Sequence, residues 1–139
     1  MSDPVSPQFH IDSPTSWRPA TACFEIVGWL NGGENTRCRD IRARVDRRAT
    51  LGLYGLERPD IQQLFGGSEA SLRTGFIQRV QVWRGAKELA LDWHDGTQWR
   101  EFFRTPLDSW GLPQEAAKPP KVLRAALVHQ TLHYLYRHF

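Results

Sequence analysis

Cysteine is nearly absent from this chain: its 139 residues carry two, Cys23 and Cys38. Two thiols cannot build the staple framework of a small secreted domain. They flank a turn, so a bridge is conceivable from the sequence, but reduced thiols in a cytosolic protein are the expectation. No run approaches the roughly 20 apolar residues that a membrane-spanning helix needs. The opening stretch, MSDPVSPQFHIDSP, lacks the basic start and apolar core of a secretory signal. Neither sign of charge dominates, since 18 Lys and Arg stand against 15 Asp and Glu. The resulting net charge of +3 aids solubility and does not by itself imply nucleic acid.

Catalytic signatures are missing as well. There is no Gly-x-Ser-x-Gly elbow, no phosphate-cradling glycine loop and no framed Cys-His pair. There is no Asp-x-Asp element of the kind glycosyltransferases use for metal-bound sugar nucleotides. His129 and His133 stand four apart, but no Glu follows the first and no third ligand is evident, so a metal is disfavoured. His94 sits between Asp92 and Asp95 at a hairpin, where polar residues belong anyway. No cofactor is expected.

What is present is a β pattern and an excess of tryptophan, with six in this length. FHID reads as a short first strand and ACFEIVGWL as the best strand signal in the chain. In DIRARVD, Ile41, Ala43 and Val45 face one way and Arg42 and Arg44 the other. RRATLGLYG reads as a short partner strand. GFIQRVQVW and ELALDWH follow, the latter alternating Leu89, Leu91 and Trp93 against Glu88, Ala90 and Asp92. DGTQ is a hairpin signal before WREFFRTPL. About seven strands at such spacing predict an all-β antiparallel sandwich.

Between the strands lies GLYGLERPDIQQLFGGSEASLRTGF. Pro59 suits a first helical position and Asp60 the helix N-terminus. The expectation is a crossover from one sheet to the other, with Ile61, Leu64 and Phe65 plugging an end of the core. GLPQEAAKPPK reads as a Pro-rich linker. VLRAALVHQTLHYLYRHF reads as a helix with Ala125, Val128, Leu132, Leu135 and Phe139 on one stripe. It lacks a C-terminal cap: either the helix frays at a natural end or the chain is the front of a longer protein, and the second is the expectation.

Several fragments occur in an order that resembles a known module: FHID.P..W, IVGW, IRARVD, GLYGLERPDI, TGF and L.L.W.DG..W. The resemblance is to an immunoglobulin-like β-sandwich accessory module at the N-terminus of bacterial glycosyltransferases and related multidomain glycan-biosynthesis proteins. Its most specific part is Tyr54-Gly55, then Arg58-Pro59-Asp60, then Gly75-Phe76. The basic run from Arg37 to Arg48 and Cys23 depart from the family pattern. The resemblance covers roughly 9–105, the span of the expected sandwich; composition and spacing place the linker over 106–121 and the helix over 122–139. The resemblance also implies a non-catalytic role, with catalysis in a downstream domain.

The candidate binding residues are Trp17, Tyr54, Arg58, Asp60, Trp83 and Trp99. For Arg58 and Asp60 the structural alternative has Asp60 accepting backbone N–H bonds at the helix start and Arg58 pairing with a nearby carboxylate or carbonyl; for Tyr54 it is a ring packed across the crossover with its hydroxyl bonded to backbone. Tryptophan faces on a sheet can stack sugar rings, whereas isolated exposed aromatics are common and need no ligand. Trp29 and Trp93 are expected in the core. The arginine stripe shows no aromatic interleaved in sequence, which disfavours nucleic acid and favours a solvated face or an acidic partner. Protein or domain interaction therefore ranks first, carbohydrate binding second and a small self-standing enzyme last.

Overall fold

The computed structural model describes residues 6–33 and 36–113. The strands in chain order are β1 (Gln8–Ser13), β2 (Cys23–Asn31), β3 (Asp40–Val45), β4 (Arg48–Leu51), β5 (Leu53–Leu56), β6 (Gly75–Gln81), β7 (Glu88–His94) and β8 (Trp99–Pro106). A helix of six residues, α1 (Pro59–Leu64), lies between β5 and β6. The strands form two four-stranded antiparallel sheets, ordered β1-β2-β6-β5 and β4-β3-β7-β8. The protein is thus an all-β sandwich. The helix expected over 122–139 lies outside the described residues.

Period-two alternation builds the core. Ile26 and Leu30 on β2 and Phe76 and Val80 on β6 face Ile41, Ala43 and Val45 on β3 and Leu89, Leu91 and Trp93 on β7. Full burial of each large side chain contributes about 1.5–3 kcal/mol. Strand β8 departs from simple alternation. Leu91 pairs with Phe103 but Asp92 pairs with Glu101, so Phe102 is an inserted residue. This bulge lets the adjacent Phe102 and Phe103 both pack toward Phe9 of β1, at 5.0 and 6.3 Å between ring centres.

Two expectations about the middle of the chain are corrected. RRATLGLYG is not one strand but two, and the described residues hold eight strands, close to the expected number of about seven. The chain leaves β4 and enters β5 across the single residue Gly52, and these strands belong to different sheets. The change of sheet occurs there, whereas the long connection joins β5 to its own neighbour β6. Gly52 is needed because the interior presses on it: a Cβ would fall 2.3 Å from Gln78 Oε1 and 2.8 Å from Ile41 Cγ2. Gln78 is fully buried and its amide nitrogen donates to Thr50 O at 2.9 Å and Arg79 O at 3.0 Å, which fixes it against Gly52.

The plug is also smaller than expected. Ile61 is buried and Phe65 meets Trp29 edge-on at 5.7 Å, but Leu64 is 67% exposed. Leu64 precedes Phe65 by one residue and so points about 100° away around the helix. Trp29 lies on the outer face of β2, under the connection, outside the main core cluster. The segment after β8 was read as linker from residue 106, yet Leu107 and Leu112 join the core and Ser109 is fully buried. Ser109 Oγ accepts from Gly85 N at 2.9 Å and donates to Ala86 O at 2.7 Å, pinning this segment to the β6–β7 turn.

Cys23 and Cys38 are both free, one exposed at the start of β2 and the other buried beyond its far end, so the nine-residue strand separates them and the conceivable bridge is ruled out.

Gly52→Ala is expected to cost about 1–3 kcal/mol through overpacking. Urea unfolding of the two proteins measures the difference; equal midpoints would show that the sheet change tolerates a side chain.

Candidate functional site

Arg58 and Asp60 do meet. Arg58 Nε and Nη2 donate to Asp60 Oδ1 and Oδ2 at 3.0 and 2.9 Å, and Nη1 donates to Asp12 Oδ2 at 2.8 Å. The guanidinium therefore ties β1 to the start of α1. Its stem crosses the outer face of the sheet over Gly75, where a Cβ would come within 2.9 Å of Arg58 Cγ. Its paired hydrogen bonds to Asp60, then those to Asp12, hold its proton more tightly than usual, and the same contact holds Asp60 below the ordinary carboxylate range. His10 Nε2 stands 3.7 Å from Asp12 Oδ1. Chemically this is a clamp. The cation is engaged by two carboxylates, and its effect is to hold α1 beside Trp29.

Tyr54 faces the interior from β5 and donates to Leu30 O at 2.6 Å. Burial raises its pKa well above that of a free phenol. Burial likewise pushes the neighbouring Cys38 thiol up to about 12, and Cys38 Sγ donates to Asp40 O at 3.3 Å. Both groups stay protonated at neutral pH. Neither is poised as a base or a nucleophile.

The second charged constellation covers the outer face of β3, β7 and β8. Asp92 is 2% exposed although it points away from the core. Two arginines from β3 cover it: Arg42 Nε and Arg44 Nε both donate to Asp92 Oδ2 at 2.7 Å, and Arg44 Nη2 donates to Oδ1 at 2.9 Å. Arg44 Nη2 also reaches Glu101 Oε1 at 2.9 Å, Glu101 accepts from Arg104, and Arg104 pairs with Glu88. The register produces this lattice, because Arg42, Asp92 and Glu101 lie directly across from one another. For Asp92, burial acts to raise the pKa, but the hydrogen bonds from Arg44 and Arg42 outweigh it and hold the carboxyl below its ordinary value. Arg42 and Arg44 of the arginine stripe are thus neutralised by the protein itself.

The candidate tryptophans each pack against a different partner. Trp99 lies under the Arg42 guanidinium at 4.3 Å, with His94 against its edge at 5.1 Å. Trp17 packs on Phe103 at 5.3 Å. Trp83 has Arg48 over its ring at 6.0 Å. Trp110, 65% exposed, was outside the candidate set. Its sequence context gave no periodic signal, since it lies in the segment read as linker. Arg42–Trp99 and Arg48–Trp83 were equally hidden, because each joins residues far apart in the chain. Among the described residues no group of three His, Cys, Asp or Glu side chains could hold a metal ion. His129 and His133 lie outside the described residues. No helix among the described residues is long and apolar enough to cross a membrane.

No family model, curated protein or solved structure matches this chain.

Asp92→Asn is expected to lose about 1–3 kcal/mol at neutral pH, since two partly buried guanidiniums lose their counter-ion. A depressed carboxylate contributes stability above its unfolded pKa of about 3.9, and that contribution disappears as pH falls through the folded value. The deficit of the variant should therefore shrink below about pH 4. Urea midpoints taken from neutral to acid pH check this; a deficit that is constant across the range would contradict it.

Proposed function

We propose that the chain is an immunoglobulin-like accessory module of a bacterial glycosyltransferase-type protein. It acts in the cytoplasm through domain or protein contacts and carries out no catalysis itself. The strand order supports this most strongly. Lettered in chain order with β4 as C′, the sheets β1-β2-β6-β5 and β4-β3-β7-β8 become A-B-E-D and C′-C-F-G, the arrangement of immunoglobulin-type sandwiches. The antibody-type disulfide between strands B and F has no counterpart, since β7 carries no cysteine, and β3 lacks the tryptophan of strand C; Trp93 of β7 fills the centre instead. The ordered fragments from FHID to L.L.W.DG..W supply the link to glycan biosynthesis.

Contact with protein is preferred to contact with sugar for a geometric reason. A sugar platform needs exposed aromatic faces side by side. Here Trp17, Trp83 and Trp99 each pack against a different partner, and Arg42 occupies a face of Trp99. The outer face of β3, β7 and β8 offers instead a preorganised lattice of paired charges. Such a lattice suits register with a partner better than it suits stacking.

The sequence encoded beyond Phe139 in the parent gene product provides the first check, with a glycosyltransferase domain expected to follow. In that longer protein, hydrogen exchange along β3, β7 and β8 should be slower than in the isolated chain. The isolated chain should run unretarded through gels containing cell-surface polysaccharide. A stop codon directly after Phe139 would contradict the accessory role. Retardation lost on Trp99→Ala, with the fold intact, would establish carbohydrate binding in its place.

A further inference from the structure

Three chain segments converge at the end of the sandwich opposite α1. Val45 pairs with Arg48, so Asp46 and Arg47 form a two-residue turn between β3 and β4. Asp46 sits at φ 53° and its Oδ1 accepts from Lys87 N and Glu88 N at 3.1 Å each, which fixes this turn against the start of β7. Ser109 pins the third segment to the β6–β7 turn through Gly85 and Ala86. Trp110 is thereby held over Gly85 while remaining 65% exposed.

Exposed cations gather at this end. Arg47, Arg48, Arg84 and Lys87 are all exposed, and among the described residues none has a carboxylate partner. Asp46 is engaged by backbone amides, and Asp108 is paired with Arg18 at 2.9 Å. At the opposite end Arg58, Arg73 and Arg100 each face a carboxylate. Four exposed cations without a carboxylate partner among the described residues are therefore gathered on a few turn tips around an exposed tryptophan, with Trp83 beneath Arg48, while Arg37 stands by itself at the other end.

We propose that this end is a peripheral docking surface for an anionic phospholipid membrane. The amphipathic indole of Trp110 enters the headgroup layer, and Arg47, Arg48, Arg84 and Lys87 meet the lipid phosphates. Indole rings favour that layer because they are apolar in body and polar at the N–H. Cations close to an anionic leaflet add attraction that decays within a Debye length. Single-stranded nucleic acid fits less well: it calls for successive stacking faces along a groove. Here Trp110 is the single strongly exposed ring among the described residues, and Trp83 is capped. The proposal does not depend on the accessory role above.

Flotation of the full chain with vesicles tests it. Vesicles of phosphatidylcholine are compared with vesicles containing about one-third phosphatidylserine, an anionic content that gives a cytoplasmic-type surface potential. Binding is expected to the anionic vesicles alone, with release by salt. The triple variant Arg47→Gln, Arg84→Gln and Lys87→Gln should lower the partition coefficient on the order of 100-fold. Trp110→Ala should weaken it as well, and near-ultraviolet circular dichroism verifies the fold of each variant. If the triple variant fails this check, Arg84→Gln and Lys87→Gln together provide the same comparison. Absent binding, equal binding to neutral vesicles, or full binding by folded variants would overturn the proposal. So would patch-dependent retention of a single-stranded oligonucleotide without vesicle binding.

Discussion

The outer half of this molecule depends on one buried carboxylate. Asp92 sits in the middle of a strand whose other members are largely apolar, faces away from the core and is nevertheless 2% exposed. It can stay ionised there because Arg42 and Arg44 donate three hydrogen bonds to it. The desolvation cost of such a group is several kcal/mol, so the geometry must be tight for the arrangement to persist. Register is the consequence. A slip of one residue between β3 and β7 would carry the arginines toward the core and Ile41, Ala43 and Val45 toward solvent, and would separate Arg42 from Asp92. The charged face and the apolar face therefore specify the same pairing.

That neutralisation also shapes the electrostatics of the whole surface. Read linearly, the run from Arg37 to Arg48 is a basic stripe. In the fold, Arg42 and Arg44 are satisfied across the sheet by Asp92 and Glu101, and Arg104 by Glu101 and Glu88. Arg47, Arg48, Arg84 and Lys87, on the turns at one end, have no carboxylate partner among the described residues. Arg58, at the other end, is occupied by Asp12 and Asp60 and acts as a clamp on α1. The two ends thus have different characters. One is closed by an ion-paired helix, and the other presents cations and an indole.

Local chemistry was the part legible in the sequence. Ile41, Ala43 and Val45 alternate inward as their spacing requires, and so do Leu89, Leu91 and Trp93. Asp95 in the DGTQ turn accepts from Thr97 N at 2.7 Å and Gln98 N at 2.9 Å, as an Asp-Gly hairpin would suggest. The expected pairing of Arg58 with a nearby carboxylate accords with the geometry, but the carboxylates are those of Asp60 itself and of Asp12 from β1, and Asp60 spends both oxygens on the guanidinium. What escaped was everything fixed by distant pressure. Gly52 looks like any strand glycine until Gln78 and Ile41 are placed against it. The paired phenylalanines of β8 break alternation because of a bulge set by β7. Leu107, Ser109 and Leu112 read as linker because proline and glycine surround them, yet the β6–β7 turn supplies the partners that bury them.

The titration of the Asp92 side-chain carboxyl, followed by carbon-detected NMR, tests the central claim most directly. A midpoint below the ordinary aspartate value of about 3.9 is predicted, because the guanidiniums of Arg44 and Arg42 outweigh burial. A midpoint above that value would mean that burial prevails and the two arginines do not cover the carboxylate, and the charged lattice across β3, β7 and β8 would not exist as described.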